Sequence, residues 1–483
     1  MKRVAIIGGG ISGLTAAYEL ELARKRGADI DWHLYEASNR LGGIIETTRH
    51  STPEGEFILE GGPDGWVSEK PWARELAIEL GLKDQLIYSN DATRKTYILV
   101  DGKLQPIPDC MRMMVPEDLS ALENSPLFSA SAKQAYAREL TRADEFKAQS
   151  PLYDESVASF VRRHFGDEVL NTLAAPLLSG VFGGDVHKLS VRAVMPQFVA
   201  MEREHGSLID ALQLKSKQRT HSPQPIFTSL RHGVATIVDA LAEKLPTDRV
   251  HTNSAISAVS IDNEEWFLEP QTKTERSKYS DPFDHVIFAT PIDIVRQLGI
   301  TLLDDVLRSS TGQFVRLGPT ESSSAILVAM AWPTEVAKRF AVPEGFGFLV
   351  PPALQPGQIL ACTFVDQKFQ HRAPMGARVL RAFFGGASAE ALASATDDAI
   401  GLAARTQLEA ILGPLPPAVY AHVRRLPRSL PQYEVDHLER MAELDFQISR
   451  DQIFTLLGNA YRGVGIPDLI RDARAAARAI AQN

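Results

Sequence analysis

The chain has 483 residues, 44% of them hydrophobic and 23% charged, with a formal net charge of −9 at pH 7. That length exceeds one ordinary core and implies two or three domains, while an acidic balance with no long run of one sign argues against nucleic acid as a partner. The two cysteines, Cys110 and Cys362, stand far apart, which excludes a disulfide framework and a C-x-x-C redox or zinc site.

Arg3 to Ile7 is a short, apolar, β-branched run, and Gly8, Gly10 and Gly13 follow with the spacing G-x-G-x-x-G, interleaved with Gly9, Ile11 and Ser12. Leu14, Ala17, Tyr18 and Leu22 then recur at helical intervals, so the order is strand, tight turn, helix. The first glycine permits the turn, the second lets backbone approach a pyrophosphate, the third lets helix pack on strand, and the helix start offers amide donors. The next strand, "IDWHLYE", ends at Glu36, followed by Ala37, where a carboxylate accepts the hydroxyls of an adenosine ribose. Dinucleotide binding is therefore expected. In "ASNRLGG", Arg40 can meet a phosphate, and Gly42 and Gly43 let the chain pass beneath a large ligand, features a nicotinamide fold does not need. The chain runs from Met1 straight into the strand without a small-residue cleavage site, so no signal peptide and a cytoplasmic location are expected. Apolar stretches such as Ala325 to Trp332 are too short to span a bilayer, which leaves only peripheral membrane contact.

Beyond the first ninety residues, which read as α/β, strand signals fade from Lys103 to Ile209 and helical patterns such as "SVASFVRRHF" take over. Within that block "PIPDCMRMMVPEDL" reads either as a Met-rich loop that touches lipid or as a loop buried in the helical domain. A helix near Gly233 precedes "RVHTNSAISAVSIDN" and "HVIFATP", read as strands returning to the first sheet. Residues 300 to 430 mix strands with the helix "AIGLAARTQLEAIL" and suggest a second, largely antiparallel sheet. The end repeats the opening: Ile453 to Leu457, then Gly458, Gly463 and Gly465, then Pro467 and Asp468 in the first turn of an alanine-rich helix. Such a helix start suits an anion, including the charge on the pyrimidine side of a reduced flavin; a plain strand-to-helix turn is the alternative. The expected fold is α/β plus α. Residues 1–90, 206–300 and 430–483 form a Rossmann-like domain of the two-dinucleotide-binding type, 91–205 an inserted helical domain and 301–429 a mixed-sheet substrate domain.

The pattern E-x3-R-x-G-G from Glu36 to Gly43 resembles the flavoprotein family of monoamine oxidases, phytoene desaturases and protoporphyrinogen oxidases. Further blocks, among them "EGGPDGWVSEKPWARELAIELGL", "RKTYILVDGKLQPIP", "LLSGVFGGDVHKLSVRAVMP" and "GNAYRGVGIPDLI", are similar to its porphyrinogen-oxidase branch, the bacterial protoporphyrinogen oxidases in particular, from Lys2 to about Ala479. Gly65 and Trp66 depart from a common serine and aromatic, and Arg231-His232-Gly233 from a usual glycine pair. The resemblance implies that FAD takes hydride from a porphyrinogen in three two-electron steps and is reoxidised by oxygen or another acceptor, in haem biosynthesis. It places FAD on Gly8, Gly9, Gly10, Ile11, Ser12, Gly13, Glu36, Ala37, Arg40, Gly42, Gly43, Gly62, Pro63, Asp64, Ile256, Val464, Gly465 and Ile466. Leu349, Thr363 and Phe383 would line the substrate pocket, with Thr363 replacing a usual aliphatic, and Arg94 would meet a propionate. Composition alone makes Arg94 a surface arginine. No Ser-His-Asp order, H-E-x-x-H or metal cluster is seen, so no catalytic side chain beyond the flavin is expected. Family members also suggest a homodimer and peripheral membrane contact. Few cations beyond Arg94 favour a two-propionate over a four-propionate porphyrinogen. The rivals are a coproporphyrinogen oxidase, an amine oxidase or carotenoid desaturase of the same fold, and a non-catalytic FAD-binding protein.

Overall fold

The computed structural model describes residues 1–218, 225–263, 265–271, 281–298, 321–354, 358–451 and 454–482. One sheet has five parallel strands in the order Val250–His251, Ile30–Tyr35, Lys2–Ile7, His285–Phe288 and Phe454–Leu456. Its strands are apolar on both faces because both are covered. On one side the helices Ile11–Lys25 and Ile466–Gln482 pack on Val4, Ile6, Leu34 and Ile287. On the other, Trp266, Phe288 and Phe454 meet edge to face. A single strand separates the first strand of the chain from the last, so both ends of the sequence build one crevice.

The second sheet has seven strands, in the order Tyr420–Pro431, Ser322–Trp332, Arg378–Gly385, Ala361–Phe364, Gly347–Leu349, Thr96–Val100 and Lys103–Pro106. Every neighbouring pair is antiparallel except Gly347–Leu349 with Thr96–Val100. Helix Asp397–Leu412 covers one face, setting Ile400, Ala404 and Leu408 against Val328, Phe348 and Ala382. The helical block, including Ala130–Thr141, Val157–Val169 and Ala175–Phe182, closes round Tyr136, Phe160 and Phe165.

Two local expectations change. Ile256–Asp262 does not return to the parallel sheet; it pairs with Glu265–Pro270 as a separate hairpin, turned at Asn263 with φ 49°. A short-range antiparallel partner outcompetes a distant parallel one, because it closes a shorter loop. Strand structure also persists past Lys103, since Lys103–Pro106 completes the larger sheet as its edge. The Met-rich loop, read either as touching lipid or as buried in the helical domain, packs on the helical core: Met114 is fully buried and Cys110, Met111 and Met113 are half-buried against it. Among the described residues no helix is long and apolar enough to cross a membrane. The boundary expected at residues 300 and 301 lies outside the described residues.

Candidate flavin and substrate site

A cavity of about 430 Å³ opens at the carboxyl ends of the parallel strands, where such sheets bind nucleotides. Of the residues expected at a cofactor, Gly8, Gly10, Ile11, Ser12, Glu36, Ala37, Gly42, Gly43 and Ile256 line it. The glycine turn is dictated by space. A Cβ on Gly13 would stand 1.9 Å from the Gly8 carbonyl oxygen, whereas one on Gly10 would meet nothing within 4 Å, because Gly10 borders the cavity. Helix Ile11–Lys25 begins there without a side-chain cap, so its first N–H groups are left for an anion. Glu36 is held ready by Gly9 N–H at 2.8 Å and by the Ser38 N–H and hydroxyl at 2.9 and 2.7 Å. An uncapped helix start, an open glycine and a fixed carboxylate suit the diphosphate and ribose of a dinucleotide.

Gly9, Gly13, Arg40, Gly62, Pro63, Asp64, Val464, Gly465 and Ile466 lie outside that cavity's lining. Arg40 instead turns its guanidinium onto the carbonyls of Leu41, Gly43 and Ile45, shaping the glycine loop. Gly62 abuts the cavity wall, since a Cβ there would stand 2.0 Å from the carbonyl oxygen of Ile44, a lining residue. In the terminal turn, the Gly465 carbonyl accepts from Leu469 N–H at 3.1 Å, and Leu469 reaches the cavity. Val464 packs with Leu349 against the helical core, and Ile466 is buried beneath the first helix. Helix Ile466–Gln482 carries Asp468 in its first turn, paired with Lys70 at 2.6 Å and Arg471 at 3.3 Å.

The Gly62–Asp64 turn rests on a buried charge cluster that the sequence alone did not reveal. Lys368 Nζ lies 3.0 Å from Asp64, Arg381 Nη1 3.2 Å from it, and Arg372 3.4 Å from Glu60. Arg381 also donates to the Gly62 carbonyl, and Arg372 and Ser229 donate to the Asp64 carbonyl at 3.3 and 2.7 Å. Burial alone would raise the Asp64 carboxyl, but Lys368 and Arg381 outweigh it and hold it at about 2. Three cations face two carboxylates, which leaves one positive charge behind the turn.

Arg381 joins this cluster to the other face of the larger sheet, which packs on Phe57, Leu59 and the helical block. In antiparallel pairs, residues directly opposite share a face. Register therefore sets Arg424, Leu327, Phe383, Ala361, Leu349 and Ile98 in one row, and His422, Ala329, Arg381, Thr363, Gly347 and Thr96 in the next. Leu349, Thr363 and Phe383, from three strands, thus come to one surface, and the Arg381 guanidinium lies 5.1 Å from the Phe383 ring centroid. Opposite stands helix Ala175–Phe182, whose Gly180 comes close enough that a Cβ would stand 3.3 Å from Leu349 Cδ2. Arg94, half-buried and extended at φ −68° and ψ 95°, stands two residues before Thr96 and makes no ion pair with any described residue.

The family model for flavin containing amine oxidoreductases matches residues 11–481. The chain belongs to that family. As a flavin-containing amine oxidoreductase it is an oxidoreductase whose cofactor is FAD. It is 31% identical over 482 residues to the coproporphyrinogen III oxidase of Bacillus subtilis, covering 98% of this chain and 97% of that one. It is also 27% identical to the chloroplastic protoporphyrinogen oxidase of Oryza sativa, over 97% of this chain and 86% of that protein. A solved structure from Exiguobacterium sp. 255-15, provisionally named a protoporphyrinogen oxidase, superposes with a TM-score of 0.81 at 29% identity, covering 100% of this chain and 99% of that one.

Sequence reasoning missed part of the lining of the candidate nucleotide cavity. Thr290 and Pro291 follow the strand His285–Phe288, and the rule that ligands sit at carboxyl ends of parallel strands could have found them. Arg424, Leu426 and Ser429 come from the other sheet, and no local spacing announces them.

Proposed function

We propose that this flavoenzyme oxidises a porphyrinogen of haem biosynthesis, with protoporphyrinogen IX as its substrate. The observation that carries the reading is the apolar sheet face of Leu349, Ala361 and Phe383, linked through Arg381 to the turn expected at the flavin, with Arg94, which makes no ion pair with any described residue, just before the strand that pairs with Gly347–Leu349. Relatives named as porphyrinogen oxidases along nearly their whole length support it. Flavin, when bound, supplies two-electron oxidation by accepting hydride equivalents. The protein's part is positioning. Leu349 and Phe383 give a flat macrocycle an apolar wall, and Gly180 packs close against Leu349 at its edge. Arg94 meets a propionate that would otherwise enter the cleft unpaired, at a cost of several kcal/mol. Lys368, Arg372 and Arg381 are engaged by Asp64 and Glu60 and offer that carboxylate little. Arg94, without an ion-pair partner among the described residues, suits a substrate with few propionates.

Coproporphyrinogen III is the second reading, because relatives from Bacillus subtilis, Staphylococcus aureus and Propionibacterium freudenreichii carry that name. The test offers both porphyrinogens side by side and follows porphyrin fluorescence. Faster kcat/KM for the two-propionate substrate supports the first reading, and a preference for the four-propionate one replaces it. Arg94→Ala should raise KM about tenfold and leave FAD affinity within twofold. Equal loss of both would remove Arg94 from the substrate.

A further inference from the structure

We propose that Arg424 is a ligand of the FAD diphosphate, supplied to the nucleotide cavity by the sheet that carries the substrate face. This rests on the flavin reading and adds a contact made from the opposite domain. Arg424 lies on the strand Tyr420–Pro431, outside the parallel sheet, yet lines the cavity together with Gly10 and Gly43. Its Nη2 donates to the Gly43 carbonyl at 3.1 Å and its Nη1 to Glu46. Gly43 is so close to the phosphate turn that a Cβ on it would stand 3.3 Å from Gly10 Cα, beside the uncapped start of helix Ile11–Lys25.

The local charge is unbalanced. Glu46 alone serves two guanidiniums, Arg40 at 3.1 Å and Arg424, and also His422 at 2.7 Å. Burial, and then the neighbouring Arg40, lower the proton affinity of Arg424, as expected of a cation short of countercharge. Arginine stays charged regardless, so with a neutral His422 the trio of Arg40, Arg424 and Glu46 carries one net positive charge on a half-buried wall, opposed on the Arg40 side by Glu36. Arg40 spends its N–H groups on three carbonyls, whereas Arg424 bonds only Gly43 and Glu46 among the described residues, leaving donors free. A dianionic diphosphate at the helix start is the complement, bridged to the second sheet by a charge-assisted contact.

The experiment measures the FAD dissociation constant of the deflavinated full chain by quenching of flavin fluorescence, at low and moderate salt. Arg424→Ala and Arg424→Gln should each weaken FAD about tenfold and flatten its salt dependence, the loss of one charge-assisted hydrogen bond. Glu46→Gln should hold FAD as tightly as wild type or more so, because it leaves Arg424 without a competing carboxylate. Arg405→Ala, on the helix Asp397–Leu412 that covers the far face of the same sheet, serves as control and should bind like wild type. Far-UV circular dichroism reports folding, and if the alanine variant is unfolded the glutamine variant decides. FAD affinity within twofold of wild type in the folded Arg424 variant overturns the proposal. So does a Glu46→Gln variant that loses as much affinity as Arg424→Ala, since Arg424 would then act only as a brace for Glu46. A wild-type chain that takes up no FAD would sink the flavin reading itself.

Discussion

The two sheets make their halves of the site from different materials. Around the nucleotide cavity the working groups are backbone: a glycine turn, an uncapped helix start and a carboxylate fixed by amides. On the larger sheet they are side chains brought into register from several strands, with a buried ion cluster behind them. A backbone site fails when an atom is added; a side-chain site fails when one is removed.

That contrast can be broken at three points. Gly13→Ala should have the largest effect, because its Cβ would fall 1.9 Å from the Gly8 carbonyl oxygen and neither backbone segment can yield cheaply. We expect about 3 kcal/mol or more of destabilisation and a colourless preparation, checked by denaturant unfolding and the flavin absorption band. A yellow, stable Gly13→Ala protein would show that the turn tolerates what its geometry forbids.

Arg381→Met removes a cation from the second region without adding bulk. It leaves Asp64 with Lys368 as its remaining ion-pair partner and the Gly62 carbonyl without that donor. Breaking such a buried pair costs about 3 kcal/mol, so the melting temperature should fall by several degrees, and the substrate KM should rise while the glycine turn still holds FAD. Unchanged stability would mean that Lys368 alone neutralises Asp64.

The smallest effect lies where the regions join. His437 is buried, donates Nε2–H to the Tyr461 carbonyl at 2.8 Å and stacks on Tyr433 at 4.0 Å. Tyr433 in turn donates to the carbonyl of Asn459, a lining residue, at 2.6 Å and accepts from Gly463 N–H at 3.0 Å. Burial pulls His437 down to about 4. An unfolded histidine protonates near 6.5, so between those values the unfolded chain binds the extra proton. Stability from this group is complete above about pH 6.5 and is lost as pH falls towards 4. The melting temperature should drop across that window, and His437→Gln should flatten the slope; an unchanged slope would assign the acid sensitivity elsewhere. Asp64, held at about 2, acts only below this range, with stability lost as pH falls from its ordinary value near 4.

The parallel sheet was legible because its determinants are local. Gly8, Gly10 and Gly13, an apolar strand before them and Glu36 after them lie within one βαβ unit, and each limits the chain within a few residues of itself. The closing turn at Gly463 and Gly465 was legible for the same reason. Hairpin Ile256–Asp262 with Glu265–Pro270 was misplaced because period-2 apolarity does not name its partner strand. The Asp64 cluster escaped notice since Lys368, Arg372 and Arg381 look like ordinary surface cations until folding removes their water.

By itself the sequence determined a dinucleotide fold, its glycine cradle and the two chain segments that build it, because steric limits on backbone act over a handful of positions. Tertiary structure alone decided which face Leu349, Thr363 and Phe383 share, which cations are neutralised, and that a strand from the second sheet delivers Arg424 to the cavity at the carboxyl ends of the parallel strands. Register and desolvation depend on groups hundreds of residues apart, and no spacing in the chain records them.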